Sequence, residues 1–403
     1  MLRKRWFRWL IPGLNIKRWL ALFSCGVGLL IIGISLMFNY QWLAVLEDIV
    51  LAFSYNMTGF YNYNVLIAVG VVVLSIGAVL MLIGTSKVIK TIIRAVLPNP
   101  DSKVSDIIFQ NIRLDKGPKI VVIGGGTGLS NLLRGLKIHT SNLSAIVTVA
   151  DDGGSSGRLR KDFKMIAPGD LRNCLIALAE QEGVMENLFR YRFEGENELS
   201  GHSFGNLFIT ALAQVYDGDV EKALEAASKL LRVRCRVIPS STEFIQLSAE
   251  LIDGTIVDGE SNIPHAGKKI KRVFSSPEHP KPEGAALRAI DEADVIILGP
   301  GSLYTSIIPN LLTDKIADHV RASKANKIYI ANVMTQPGET SGYTLADHVQ
   351  AIIDHSGGGI IDTVLANDGP LPIQMVEQYS AVGSEPVAID SKRLQDMGIR
   401  TVR

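Results

Sequence analysis

The residues with most to offer chemically sit in a few glycine-bearing stretches, the first of which is Gly124, Gly125, Gly126, Thr127 and Gly128. It joins an apolar run to a helix-patterned segment with Leu129, Leu132, Leu133 and Leu136 on one side. Glycines lack Cβ atoms and let main-chain N–H groups approach an anion, while a helix amino terminus adds partial positive charge, so phosphate is the expected guest. The stretch is not a P-loop, since no Gly-Lys-Ser/Thr follows. Leu129 also replaces the last glycine of a GxGxxG fingerprint, which disfavours an NAD-type oxidoreductase. Asp151 and Asp152 come about 23 residues after Gly128, near where α/β nucleotide sites place an acid for ribose hydroxyls. Two adjacent carboxylates also suit Mg²⁺ shared with ligand phosphates. The Gly/Ser run that follows, with Ser155 and Ser156, reads as an anion nest flanked by the forked donors Arg158 and Arg160.

Further along, residues 168–173 open a helix with Asp170 as its expected cap, and Arg172 and Asn173 are candidates to face the ligand. His202 and Asn206 flank another helix start, which Ser203 can cap. Two later stretches repeat the pattern: residues 298–306, with Gly301 and Ser302, and residues 331–340, with Asn332. In open α/β sheets ligands bind beyond the carboxyl ends of strands, so these loops are expected to line one crevice. Asp151, Asp152 and His202 are the candidate catalytic groups. No Ser-His-Asp arrangement is evident, which leaves acyl-transfer hydrolysis without its parts. Asp347, His348 and His355 read as surface polar groups. Cys25, Cys174 and Cys235 lack CxxC spacing, which argues against a disulfide framework or a thiolate metal site.

Positioning these loops requires alternating elements. Apolar runs at residues 119–123, 145–150, 294–298, 327–331 and 360–365 read as strands buried on both faces. Helical patterns intervene at residues 130–137, 170–182, 203–215, 220–231, 283–293 and 343–354. The expected fold class is α/β, a doubly wound, mostly parallel sheet. A β-hairpin insertion is expected over residues 244–251 and 255–258, turning at Asp253-Gly254.

The first hundred residues differ in kind. Two uncharged runs, residues 19–38 and 65–84, are each about 20 residues long, which at about 1.5 Å per residue matches a hydrocarbon core of about 30 Å. Arg3, Lys4, Arg5, Arg8, Lys17 and Arg18 precede the pair and Lys87, Lys90 and Arg94 follow it, while residues 39–64 hold no Lys or Arg. By the positive-inside rule this is a two-pass hairpin with both termini and the soluble domain cytoplasmic. A cleaved signal peptide is the competing reading. It is weakened by the length of the first run and the presence of the second. The expected organisation is a membrane hairpin at 1–97, a linker at 98–116, a nucleotide-binding domain at 117–375 and a tail at 376–403. Lys plus Arg total 41 against 40 Asp plus Glu, a net charge of +1, which excludes nucleic acid as the main partner.

The motifs IGGGTGLS, TVADDGGSSGRLR, PGDLRN, GHSFGNL, GESNIP, GPGSLYTS and NVMTQPGET, followed by Asp347-His348, resemble in order those of the YvcK/CofD-like family. That family includes gluconeogenesis factors and UDP-N-acetylglucosamine-binding proteins. The resemblance covers about residues 119–368 and implies a Rossmann-like three-layer domain. It also implies binding of UDP-sugars such as UDP-N-acetylglucosamine or UDP-glucose, with a role in cell shape, wall synthesis and carbon metabolism. Carried over residue by residue, it assigns Gly125, Gly126, Thr127, Gly128, Asp151, Asp152, His202, Asn206, Gly301 and Ser302 to the nucleotide crevice. The related transferase CofD moves 2-phospholactate from a guanosine nucleotide to a deazaflavin alcohol, so a Mg²⁺-dependent transferase is the second expectation. A UDP-sugar is the expected ligand, Mg²⁺ the one cofactor considered, and a homodimer a further expected assembly. Two departures accompany the resemblance. The apolar hairpin is absent from the usual cytoplasmic members, and the chain ends at Arg403, short of an expected carboxy-terminal helical extension, so that if this extension closes over the sugar Tyr379 is expected to do so incompletely here.

Overall fold

The computed structural model describes residues 16–38, 44–60, 63–96, 112–180 and 182–403. Arg3, Lys4, Arg5, Arg8 and most of the expected linker lie outside them. The chain divides into two units, Met1–Gln110 and Asn111–Arg403.

In the first unit α1 (Ile16–Phe38) packs on α3 (Tyr63–Val96), and α2 (Ala44–Thr58) lies between them in sequence. Glycines make the α1–α3 packing close. A Cβ on Gly26 would stand 2.6 Å from Met81 N, one on Gly33 2.7 Å from Leu74 N, and one on Gly77 2.8 Å from Leu30 N. The glycines recur at seven-residue intervals, Gly26 and Gly33 on one helix and Gly70, Gly77 and Gly84 on the other, so the two backbones meet along a continuous seam. Segments Arg18–Met37 and Ile67–Thr91 are long and apolar enough to cross a membrane.

The second unit is built on a seven-stranded sheet in the order β10-β9-β8-β7-β1-β2-β3. Its strands are β1 (Ile120–Gly124), β2 (Leu143–Val147), β3 (Arg236–Pro239), β7 (Val295–Leu298), β8 (Asn326–Ile330), β9 (Thr363–Leu365) and β10 (Arg400–Val402), and every pairing is parallel. All of β1 is buried, as a central strand covered on both faces must be. The order reverses at β1: the chain proceeds outward through β2 and β3, then returns to β7 on the other side. A separate sheet, β5-β4-β6, is antiparallel and comprises β4 (Gln246–Leu251), β5 (Ile256–Asp258) and β6 (Ile270–Ser276). Its first hairpin is the expected insertion, with Gly254 at φ +86° in the turn.

Strands β3, β6 and β10 were not expected from the sequence. β3 and β10 have only four and three residues and lie at the two sheet edges, where short strands give little periodic signal. The residues set apart as a tail, 376–403, include α15 (Ser391–Asp396), whose Leu394 is buried, and the edge strand β10. The supposed Gly/Ser nest is the start of a helix, α5 (Gly154–Phe163), and residues to which no element was assigned form α7 (Glu182–Arg190).

Tyr329 in β8 is wholly buried and its hydroxyl has no hydrogen-bond partner. An unpaired buried hydroxyl costs about 1 to 3 kcal/mol. Tyr329→Phe is therefore expected to raise the unfolding free energy by about 1 kcal/mol in denaturant titrations, whereas a loss of stability would show that the hydroxyl has a partner in solution.

Candidate functional site

The glycine-rich turn leads from β1 into α4 (Gly126–Leu136), with Gly125 as an extended N-cap and Gly126 at φ +70°. Space there is tight. A Cβ on Gly128 would stand 2.9 Å from the Pro300 carbonyl oxygen, and one on Gly125 2.6 Å from both Asp170 Oδ2 and Thr148 Cγ2. The turn is thus wedged between the loop after β7 and α6 (Gly169–Leu178).

Asp170 does not cap its own helix as expected, since Pro168 holds that position. Its Oδ2 instead accepts the Gly126 N–H at 2.7 Å. A carboxylate of the chain itself therefore occupies a donor at which phosphate was anticipated. Burial pushes Asp170 up to about 6, against the opposing pull of the Gly126 N–H.

The donors left free belong to α5. Gly153 is its N-cap and supplies no side chain, so the first N–H groups of the helix have no internal acceptor. They open on a cavity of about 260 Å³ lined by Gly154, Ser155, Ser156, Asp151, Asp170, Arg172, Asn173, Arg192 and Asn206. Arg172 is held by several bonds. Its Nη1 donates to Ser203 Oγ at 2.6 Å and Asn206 Oδ1 at 3.0 Å, and its Nη2 donates to Asn173 Oδ1 at 2.8 Å. Ser203 also caps α8 (Phe204–Val215), as expected. Asn206 Nδ2 donates to Ser155 Oγ at 3.1 Å and Ser156 Oγ at 3.4 Å. His202 Nδ1 lies 3.1 Å from Ser155 Oγ, behind the cavity wall, and burial, then Arg158, lowers its pKa. The imidazole is held neutral, which suits a group that orients Ser155.

Other expected residues sit elsewhere. Arg158 is exposed and donates to the Ser200 carbonyl at 2.8 Å. Arg160 is no phosphate donor: it is buried, donates to the Ala150 carbonyl at 2.9 Å and to that of Ile245, and stacks 4.1 Å over Phe244. It straps α5 to β2 and to the inserted sheet. Gly301, Ser302 and Asn332 brace the neighbouring loops, with Asn332 Nδ2 donating to the Gly301 carbonyl at 3.0 Å and the Ser302 carbonyl accepting from Ser306 and Ile307. Thr127 lines an adjoining cavity. Tyr379 is exposed on α14 (Ile373–Ser380) and lines neither cavity. His348 is not a surface group: it is fully buried and its Nδ1 bonds the Thr344 carbonyl at 2.8 Å.

The opposite wall is acidic, and its charge is more crowded than the sequence suggests. Asp151 Oδ1 accepts the Gly153 N–H at 2.9 Å, and Asp152 Oδ1 accepts the Ser261 N–H at 2.9 Å. Gly259, at φ +95°, lets the inserted sheet approach, since a Cβ there would stand 2.7 Å from Asp152 Oδ2. Next to it Glu260 is pushed up to about 8 by burial and by Asp151, Asp152 and Asp170. Glu339, buried where it accepts from Tyr304 N and Thr305 Oγ1, is pushed up to about 7. Among the described residues no group of three or more His, Cys, Asp or Glu is placed to hold a metal ion. With one oxygen each committed to a main-chain N–H, Asp151 and Asp152 suit Mg²⁺ only if ligand phosphates complete its shell.

A doubly wound parallel sheet with a polar cavity beyond the carboxyl ends of its strands defines the chain as an α/β protein of Rossmann-like architecture. The particular family follows from comparison: the chain belongs to the family described as 2-phospho-L-lactate transferase CofD, which matches residues 120–403. It is 51% identical over 286 residues to the gluconeogenesis factor of Bacillus subtilis, covering 71% of this chain and 90% of that one. It is 46% identical over 402 residues to a putative gluconeogenesis factor of Nostoc sp., covering 99% of this chain and 87% of the relative. That alignment runs through the apolar hairpin, so the segment is not peculiar to this chain. A crystal structure of a UPF0052-family protein from Bacillus halodurans superposes with a TM-score of 0.69 at 52% identity, covering 71% of this chain and 92% of that one.

Asp170, Glu260 and Glu339 bind protons more tightly when folded than when unfolded. Folding then takes up protons between about pH 4 and 8, and stability falls as pH rises through that window. Asp170→Asn is expected to flatten the fall between about pH 4 and 6 in thermal melts, and slopes equal to those of the native chain would show that Asp170 titrates normally.

Proposed function

We propose that the crevice binds a UDP-sugar, UDP-N-acetylglucosamine or UDP-glucose, and that the chain is a membrane-anchored regulator of wall synthesis, cell shape and carbon metabolism. One observation carries the ligand class: the α5 amino terminus has no side-chain cap, and Arg172 lines the same cavity with no carboxylate in ion-pair distance among the described residues. A diphosphate satisfies both, accepting main-chain N–H bonds and neutralising a guanidinium that burial otherwise penalises. Asp151 stands where it can accept ribose hydroxyls. The similarity to proteins named gluconeogenesis factor supports the metabolic role, and the two apolar helices support the anchor.

Calorimetric titration of UDP-N-acetylglucosamine is expected to show saturable binding without turnover. Arg172→Gln should weaken it by about 10- to 100-fold, the loss expected for a hydrogen bond to a charged group. Absence of binding by any uridine nucleotide would sink the reading.

The family match favours one alternative, a Mg²⁺-dependent transferase that uses a nucleotide-activated donor, with Asp151 and Asp152 sharing the metal with donor phosphates. Product formation from a donor and acceptor pair, abolished in Asp152→Asn, would establish it. Binding with no product, unaffected by chelation of Mg²⁺, would leave the regulator.

A further inference from the structure

The polar groups behind the mouth of α5 form one hydrogen-bonded chain, and its direction is fixed at the far end. Arginine carries donors and no acceptor, so the Arg172 Nη1 contact at 3.0 Å holds the Asn206 amide with its oxygen toward the guanidinium. The amide nitrogen then points the other way, donating to Ser155 Oγ at 3.1 Å and Ser156 Oγ at 3.4 Å. Ser155 Oγ therefore accepts from Asn206, and its own single proton has two places to go. One is His202 Nδ1, 3.1 Å away. The other is the cavity, which Ser155 lines. Ser155, His202 and Asn206 are all buried, so bulk water is a poor competitor for that proton.

The two destinations place opposite demands on the imidazole. With no acceptor in the cavity the Ser155 proton goes to Nδ1, and the neutral ring carries its own proton on Nε2. Burial, and Arg158 against the opposing pull of Asp162, keeps the ring neutral. An anionic oxygen in the cavity is the stronger acceptor and draws the Ser155 proton to itself. Were Nδ1 still bare, its lone pair would then face Ser155 Oγ at 3.1 Å with no hydrogen between them. That repulsion is relieved when the ring gives up its proton at Nε2 and takes one at Nδ1 by exchange with water, with no net gain or loss. We infer that His202 is a positioning residue whose tautomer changes when the cavity at α5 takes an anion, the Ser155 hydroxyl donating to the ligand only in the Nδ1–H form. In that form the donors run one way, from Arg172 through Asn206 and Ser155 to the ligand. This rests on the anion-binding reading of the cavity, though not on the nucleotide sugar named for it.

The test is nitrogen-15 NMR of the full chain in detergent, with labelled imidazole nitrogens, at about pH 8, above the ordinary histidine value of about 6.5. Ring nitrogens with and without a proton resonate far apart, so the tautomers are read directly, and the His202 signals are those missing from His202→Gln. Without ligand the proton is expected on Nε2, and with saturating UDP-N-acetylglucosamine on Nδ1. Ser155→Ala, which removes only a hydroxyl, should abolish this change and weaken binding about ten-fold. A tautomer that is the same with and without bound ligand would overturn the inference, and so would a change that survives in Ser155→Ala. If UDP-N-acetylglucosamine fails to bind, the proposed function falls, and inorganic pyrophosphate in the same experiment decides this one: a change of tautomer on binding supports it, and no change or no binding overturns it.

Discussion

The contact between the Asp170 carboxylate and the Gly126 N–H organises the upper face of the domain. It pins the turn after β1 to the start of α6, and through α6 it places Arg172 and Asn173 two and three residues further on. It also consumes a donor that a glycine-rich turn would otherwise present to an anion. The cost is a buried carboxyl beside Asp151, which the chain tolerates because the group can hold a proton near pH 6. The amino terminus of α5, by contrast, has no side-chain cap.

The sheet order makes this arrangement possible. Because β1 has β2 on one side and β7 on the other, the loops that follow it diverge, and a crevice opens between them. The two sides serve different ends. Loops after β1 and β2 carry the cavity, while those after β7 and β8 act as a buttress in which Asn310 Nδ2 donates to the Gly124 carbonyl at 3.1 Å and Asn332 to that of Gly301. The inserted antiparallel sheet closes the acidic wall through Asp152 and is held in turn by Arg160.

Much of this was legible in the sequence because parallel strands buried on both faces must be nearly continuous apolar runs. β1, β2 and β7 announce themselves in that way. β8 and β9 are apolar runs too, but they lie toward one edge of the sheet and are only partly buried, against the expectation of cover on both faces. The Asp253-Gly254 turn marks the insertion. The short edge strands β3 and β10 carry too few residues for a pattern, and α5 begins with glycine and serine, residues that favour loops by composition. The site was legible as a set of residues but not as a division of labour. Asp170 read as a cap because acids near helix starts usually are, and nothing local shows that its partner lies 44 residues earlier. Arg160 differs from Arg158 only in which face of α5 it occupies, a distinction the sequence leaves open until Leu159 and Phe244 are placed. Glu260 and Glu339 belong to conspicuous motifs, yet their raised affinity for protons depends on burial that only the assembled fold supplies.

The crevice is electrostatically divided: Arg172 and Arg192 line one side, and Asp151, Asp170 and Glu260 gather on the other. A diphosphate drawn to the arginines also approaches carboxylates whose ionisation would repel it. Asp170 and Glu260 hold protons more readily than free carboxylates, so the repulsion is partly discharged near neutrality and returns as pH rises. A Mg²⁺ ion carried in by the phosphates would discharge it by another route. What the fold supplies in either case is fixed geometry: an uncapped helix start, a buried guanidinium and nearby carboxylates. A polar pair with the look of a nucleophile and base, Ser155 with His202, is buried in a network with Asn206 and shaped to hold the mouth of α5 in place. The geometry therefore weighs toward holding a charged ligand, with any chemistry left to what the ligand or a second molecule brings.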